Sequence, residues 1–113
     1  KAVGVEPVIT VNPFDLEESI AAVKKCDSHE GVSAVIFKSP SIALLRKEEF
    51  KEFRKPALCI ENEKCVGCKK CINEIGCPAL GMNGKKAQID SSLCTGCSLC
   101  SQICPVNAIA SKK

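Results

Sequence analysis

Near the N-terminus Pro7-Val8-Ile9-Thr10-Val11 is a β-branched run, the pattern of a short buried strand. Asn12-Pro13 follows and reads as an N-cap with Pro at the first helical position, while Asp15, Glu17 and Glu18 load the first turn with negative charge. Leu16, Ile20 and Val23 recur at i, i+4 and i+7, predicting an amphipathic helix to about Cys26. Gly31 closes the connection, and Val32 to Phe37 predicts a second buried strand. Strand, helix-length crossover and strand make a βαβ unit with parallel strands. Ile42, Leu45, Phe50 and Phe53 then predict one helix or two short ones. Residues 1–57 lie near the lower size limit for independent folding. A two-stranded parallel sheet leaves both faces and both edges uncovered, so this segment is expected to be the edge of a larger α/β domain.

Beyond Ala57 the chain repeats itself. Glu61-Asn62-Glu63-Lys64 leads into Cys65 as Asp90-Ser91-Ser92-Leu93 leads into Cys94. Val66-Gly67-Cys68 aligns with Thr95-Gly96-Cys97, and Cys77-Pro78-Ala79 with Cys104-Pro105-Val106. Midway, Asn83-Gly84 predicts a two-residue hairpin turn, because both positions tolerate positive φ.

Ten of the 113 residues are Cys, and eight of them sit in this repeat. The runs are Cys65-x2-Cys68-x2-Cys71-x5-Cys77-Pro78 and Cys94-x2-Cys97-x2-Cys100-x3-Cys104-Pro105. Three thiols at x2 spacing can grip three corners of one iron–sulfur cube, and a fourth Cys followed by Pro resembles the bacterial-type [4Fe–4S] ferredoxins. Disulfide scaffolds are also rich in Cys, but their spacings follow loop lengths. Structural zinc uses two Cys-x2-Cys pairs and would have no use for the third Cys. A [3Fe–4S] cluster would need a ligand to be missing, and none is. The expected fold class is therefore α+β: a two-cluster ferredoxin-like domain at 58–113, preceded by the βαβ segment at 1–57.

Composition narrows the remaining options. The chain is 12.1 kDa with formal net charge +3 and neither Trp nor Tyr. Its cations are scattered among acidic residues and almost no aromatics are present to stack on bases, so no nucleic-acid partner is expected. No apolar run could span a bilayer and no signal-peptide core is present, so no membrane partner is expected either. The thiol content and the oxygen-sensitive cluster type predict a reducing cytoplasm. Lys1 in place of Met predicts a chain processed or excised from something longer.

In two-cluster ferredoxins the fourth Cys of each run ligates the other cluster. Carried over, Cys65, Cys68, Cys71 and Cys104 hold one cluster, and Cys94, Cys97, Cys100 and Cys77 the other. Gly67 and Gly96 let the loops bend and turn backbone N–H groups toward sulfur. Pro78 and Pro105 fix φ after each fourth Cys. Val66, Ile72, Ile75, Leu93, Leu99, Ile103, Val106 and Ile109 are expected to pack around the cubes. Nothing in the chain offers acid, base or nucleophile chemistry. His29 reads as a solvated side chain, and Cys26 and Cys59 as small buried hydrophobes. Lys69, Lys70, Lys85 and Lys86 could guide an acidic partner, with ordinary solvated charge the alternative. No Gly-x-Gly-x-x-Gly loop supports a nicotinamide or flavin site.

The x5 spacing before Cys77 is longer than the common x3, and it follows a βαβ segment carrying Val11-Asn12-Pro13-Phe14-Asp15-Leu16 and Val35-Ile36-Phe37-Lys38-Ser39-Pro40. Together with the stretch from Cys65 to Ala79, these features resemble the C-terminal end of the large (alpha) subunit of indolepyruvate ferredoxin oxidoreductase, over essentially the whole chain. The resemblance implies electron transfer within an enzyme that oxidatively decarboxylates aryl 2-oxoacids to acyl-CoA. It implies thiamine diphosphate and Mg bound upstream of this chain, a smaller subunit as partner, and an external ferredoxin as electron acceptor. No residue here binds thiamine diphosphate or is catalytic: the Gly-Asp-Gly motif of thiamine enzymes is absent, and Ser41 stands where the family commonly has Cys after Pro. The alternatives are a free-standing ferredoxin-type carrier, the tail of another 2-oxoacid ferredoxin oxidoreductase, and a cluster-dependent structural or sensing module.

Overall fold

The computed structural model describes residues 2–111, which divide into two compact units, Lys1–Ser41 and Ile42–Lys113. In the first, strand β1 (Val8–Val11) leads through helix α1 (Leu16–Asp27) to strand β2 (Ala34–Phe37). β1 and β2 pair in parallel, with Val8 opposite Ala34 and Val11 opposite Phe37. This is the βαβ topology that the strand–helix–strand pattern predicts.

Two details of this unit differ from expectation. Asp15, not Asn12, caps α1: its carboxylate accepts the Glu18 N–H at 3.0 Å. Asn12 instead folds a turn, its Oδ1 accepting from the Phe14 N–H at 3.0 Å, and Pro13 lies in that turn, three residues before the helix. The packed face of α1 is also not the one that Ile20 and Val23 define. Ser19 and Ala22 are buried, and Ser19 Oγ donates to the Asn12 carbonyl at 3.2 Å. Ile20 and Val23 stay 47% and 50% exposed, because small residues let α1 approach a sheet only two strands wide.

In the second unit the stretch from 42 to 53 forms two short 3₁₀ helices, Ile42–Arg46 and Glu48–Phe53. The sequence predicts either one helix or two, and the chain takes two. Arg54 ties them together by donating to the carbonyls of Leu45 and Lys47. The expected division after Ala57 thus falls inside this unit. Lys55 and Pro56 explain why residues before Ala57 belong to it, since both lie against Gly96.

Strand β3 (Leu58–Ile60), helix α2 (Lys70–Ile75), strands β4 (Leu80–Asn83) and β5 (Lys86–Ile89), helix α3 (Leu99–Ile103) and strand β6 (Ile109–Ser111) follow. β3 and β6 pair antiparallel, joining the start of the repeat to its end, and β4–β5 is a hairpin. The hairpin turn is Gly84-Lys85 rather than Asn83-Gly84. Asn83 pairs with Lys86 within the ladder, and Gly84 alone carries the positive φ, at +62°. The core gathers Leu58, Leu80, Ala87, Ala108 and Ile109 with three sulfur-bearing residues, Cys65, Cys71 and Cys100. Ile72, Ile75, Ile103 and Val106 pack against it as expected. Val66 and Leu93, at 64% and 49% exposed, lie outside this core. Among the described residues no helix is long and apolar enough to cross a membrane.

Candidate metal centre

The duplication in sequence is a duplication in backbone. Cys65 N–H donates to the Glu61 carbonyl and Cys94 N–H to the Asp90 carbonyl, each at 3.0 Å. Gly67 and Gly96 both take φ +70°, and Lys69 and Ser98, the residues capping α2 and α3, both take the left-handed conformation. α2 and α3 each carry the third Cys of their run, Cys71 and Cys100, as a buried residue at their second position. After each fourth Cys the chain makes the same turn across Pro, with Leu80 N–H donating to Cys77 O at 3.0 Å and Asn107 N–H to Cys104 O at 3.3 Å.

The longer x5 loop is absorbed at the helix end. α2 runs one residue longer than α3 and is closed by Gly76 at φ +62°, whose N–H donates to the Ile72 carbonyl. Cys104, by contrast, is itself the cap of α3, in extended conformation.

Cys65, Cys68, Cys71 and Cys104 border a single small cavity of about 20 Å³, lined also by Val66, Ala87, Pro105 and Ala108. The first three come from one half of the repeat and Cys104 from the other. Cys71 is pushed up from the ordinary thiol range, first by burial and then by the neighbouring sulfurs of Cys104 and Cys68. In the second run burial pushes Cys100 up to about 11, with Cys97 and Cys94 adding to the shift. Cys77 is half-buried against the core. Buried thiols of this kind are protonated at neutral pH, so metal uptake must displace protons and weakens as pH falls.

Backbone N–H groups already point at the sulfurs. Cys94 Sγ accepts from Leu58 and Gly96, each at 3.4 Å, and Cys104 Sγ from Ala108 at 3.3 Å. Cys65 is lowered, above all by the Ala87 N–H and next by that of Gly67, with Lys86 adding a smaller effect. Such donors stabilise thiolate, the form that binds metal. Four thiol sulfurs bordering one cavity are the ligand set that an iron–sulfur cluster takes. These donors are what the sequence hides most fully, since Ala87, Leu58 and Ala108 contribute only backbone.

Gly96 shows how tight that backing is. A Cβ there would lie 2.5 Å from the Pro56 carbonyl oxygen and 2.9 Å from Lys55 Cβ, on top of a positive φ. Gly84 has a similar φ with nothing within 4 Å. Gly84→Ala should cost about 1 kcal/mol for backbone conformation alone. Gly96→Ala should cost about 2–3 kcal/mol, because the clash adds to it. Thermal bleaching of the protein's visible absorption, followed in both variants, checks the order: Gly96→Ala should bleach at the lower temperature.

Cys26 and Cys59 lie outside the cavity. Cys26 is half-buried in the first unit, its thiol 3.8 Å from the Ala34 carbonyl, and Cys59 is half-buried on β3. His29 is exposed. With the eight repeat thiols expected as the ligands, Cys26→Ser and Cys59→Ser should keep the wild-type iron content in a colorimetric assay; a drop in either would reassign a ligand.

Comparison with known proteins agrees with this chemistry. Residues 87–110 match the family model of the 4Fe-4S binding domain. Indolepyruvate oxidoreductase subunit IorA of Archaeoglobus fulgidus is 36% identical over 97% of this chain, and that of Pyrococcus horikoshii 39% identical over 96%. Pyruvate synthase subunit PorD of Methanothermobacter marburgensis is 40% identical over 44% of this chain and 58% of its own length. The chain spans 17–18% of the length of the IorA subunits it matches.

Proposed function

We propose that this chain, homologous over nearly its whole length to the C-terminal part of indolepyruvate oxidoreductase subunit IorA, carries two [4Fe–4S] clusters that move electrons within an aryl 2-oxoacid ferredoxin oxidoreductase. The observation that carries this reading is the cavity bordered by Cys65, Cys68, Cys71 and Cys104, which draws sulfurs from both halves of the repeat. Cys94, Cys97, Cys100 and Cys77 would hold the second cluster. When bound, such clusters supply one-electron storage and transfer. The chain's own part is to fix the sulfurs, aim the N–H groups of Gly67, Ala87, Leu58, Gly96 and Ala108 at them, and keep water from the buried ones.

The first unit is in this reading the edge of a thiamine-diphosphate-binding domain, whose cofactor and Mg lie elsewhere in the parent enzyme. Ile36 and Phe37 on β2, 47% and 51% exposed, support it, as does a parallel sheet of only two strands. The parent enzyme's smaller subunit and an external ferredoxin as acceptor complete the proposal. Similarity to PorD favours a second reading, the tail of an oxidoreductase for a different 2-oxoacid. One experiment separates them. The parent enzyme is mixed anaerobically with coenzyme A and either indolepyruvate or pyruvate, without acceptor, and its visible absorption is followed. Rapid bleaching with indolepyruvate alone is expected. Bleaching with pyruvate alone supports the second reading, and bleaching with neither overturns both.

A further inference from the structure

The two cysteine loops share their backbone bonding but not the charges that back them. Ala87 N–H faces Cys65 where Leu58 N–H faces Cys94. A Cβ on Gly67 would strike the Lys85 carbonyl, and one on Gly96 would strike that of Pro56. Lys85-Lys86-Ala87 therefore stands against the first loop as Pro56-Ala57-Leu58 stands against the second. Ala57 occupies the place of Lys86.

Lys86 is half-buried, its ammonium donates to the Cys65 carbonyl, and its charge acts on the Cys65 sulfur. Among the described residues the second loop has no such cation, and residues 91–111 contain no charged side chain at all. Lys55 crosses Gly96 with its Cβ and carbonyl, but its side chain is exposed. The acidic residues that lead into the loops differ as well. Glu61 is neutralised by Lys64 at 2.7 Å, whereas the Asp90 carboxylate accepts from the Ser92 N–H and hydroxyl. Exposure follows the same division. Cys68 and Val66 are exposed, while their counterparts Cys97 and Thr95 are half-buried.

We propose that Lys86 makes the cluster held by Cys65, Cys68, Cys71 and Cys104 the easier of the two to reduce, so that electrons collect at the exposed loop. The proposal rests on the two-cluster reading above. Each added electron makes a cluster more negative, and a nearby ammonium in a partly buried setting stabilises that form. One electron at a time passes from the run at Cys94 to the run at Cys65, with no bond made or broken and no proton needed. Lys86 is a positioning residue in this scheme: it touches the ligand's backbone and acts through its charge.

The test is a redox titration of the full, cluster-loaded chain followed by electron paramagnetic resonance, with the first-run signal identified by its loss in Cys68→Ala. Iron is counted first; a wild-type content near four would overturn the two-cluster reading itself, whereas about eight leaves the potentials to judge Lys86 alone. In wild type the first-run signal should appear at the higher potential. Lys86→Gln should disfavour its reduction roughly tenfold, about 59 mV, and leave the other signal in place. Lys86→Arg should restore the wild-type value, and Ala57→Lys should shift the second-run signal upward instead. A wild type in which the Cys94 run is reduced first, or a Lys86→Gln that moves both signals equally or neither, would overturn the proposal.

Discussion

Cys104→Ala should abolish or degrade the cluster held by Cys65, Cys68 and Cys71, with iron falling toward about half of roughly eight per chain. The cluster of Cys94, Cys97 and Cys100 should survive. Sequence proximity suggests the opposite, since Cys104 is only four residues from Cys100. Geometry favours the exchanged arrangement. Cys104 caps α3 in extended conformation, borders the cavity of the first run, and its sulfur helps push the Cys71 thiol up. Cys77→Ala should show the reverse pattern. The two additional residues before Cys77 are taken up by one further helical residue and the Gly76 cap, after which Cys77 enters the same Pro turn as Cys104. Cys68→Ala and Cys97→Ala give reference spectra for the loss of either cluster. Cys104→Ala should match Cys68→Ala; a match to Cys97→Ala would end the exchanged arrangement.

The second large effect is on folding. Removing iron with a chelator under reducing conditions should unfold the cysteine-bearing unit outright. Its buried hydrophobic cluster has eight members, and three of them are Cys65, Cys71 and Cys100. Among the described residues no large side chain is fully buried, so the apolar core left without metal is thin. Its strands are three or four residues long and its helices five or six, too short to persist alone. Each proposed cluster would cross-link the two halves, so metal-binding and folding free energy are the same quantity here. Amide dispersion in an NMR spectrum of residues 58–111 should collapse on chelation. A spectrum that stays dispersed without iron would mean that the peptide core suffices.

Much of this arrangement was legible in the residues. The strand at Val8–Val11, the crossover helix and the parallel partner strand follow from β-branched runs separated by a helical period. The internal repeat follows from aligned glycines and cysteines, and Asn83-Gly84 marks the hairpin, although its turn falls one residue later, at Gly84-Lys85. Other features needed the fold. Ile20 and Val23 have the right spacing for a buried stripe, yet small Ser19 and Ala22 face the sheet, because spacing gives a helix's period but not which face finds a partner. Asn12 and Asp15 are both good caps, and only the turn through Pro13 selects the second. β3 and β6 are three-residue strands from the two ends of the unit, a pairing too short and too distant to leave a pattern. The eight thiols were visible as a set, but the proximity of Cys104 to Cys71 is a property of the packed helices.

The most direct test of the central claim is the iron and acid-labile sulfide content of the anaerobically reconstituted chain. The account predicts about eight of each per chain, the content of two four-iron, four-sulfide clusters. Stoichiometric zinc with no sulfide, or iron and sulfide near four, would contradict it.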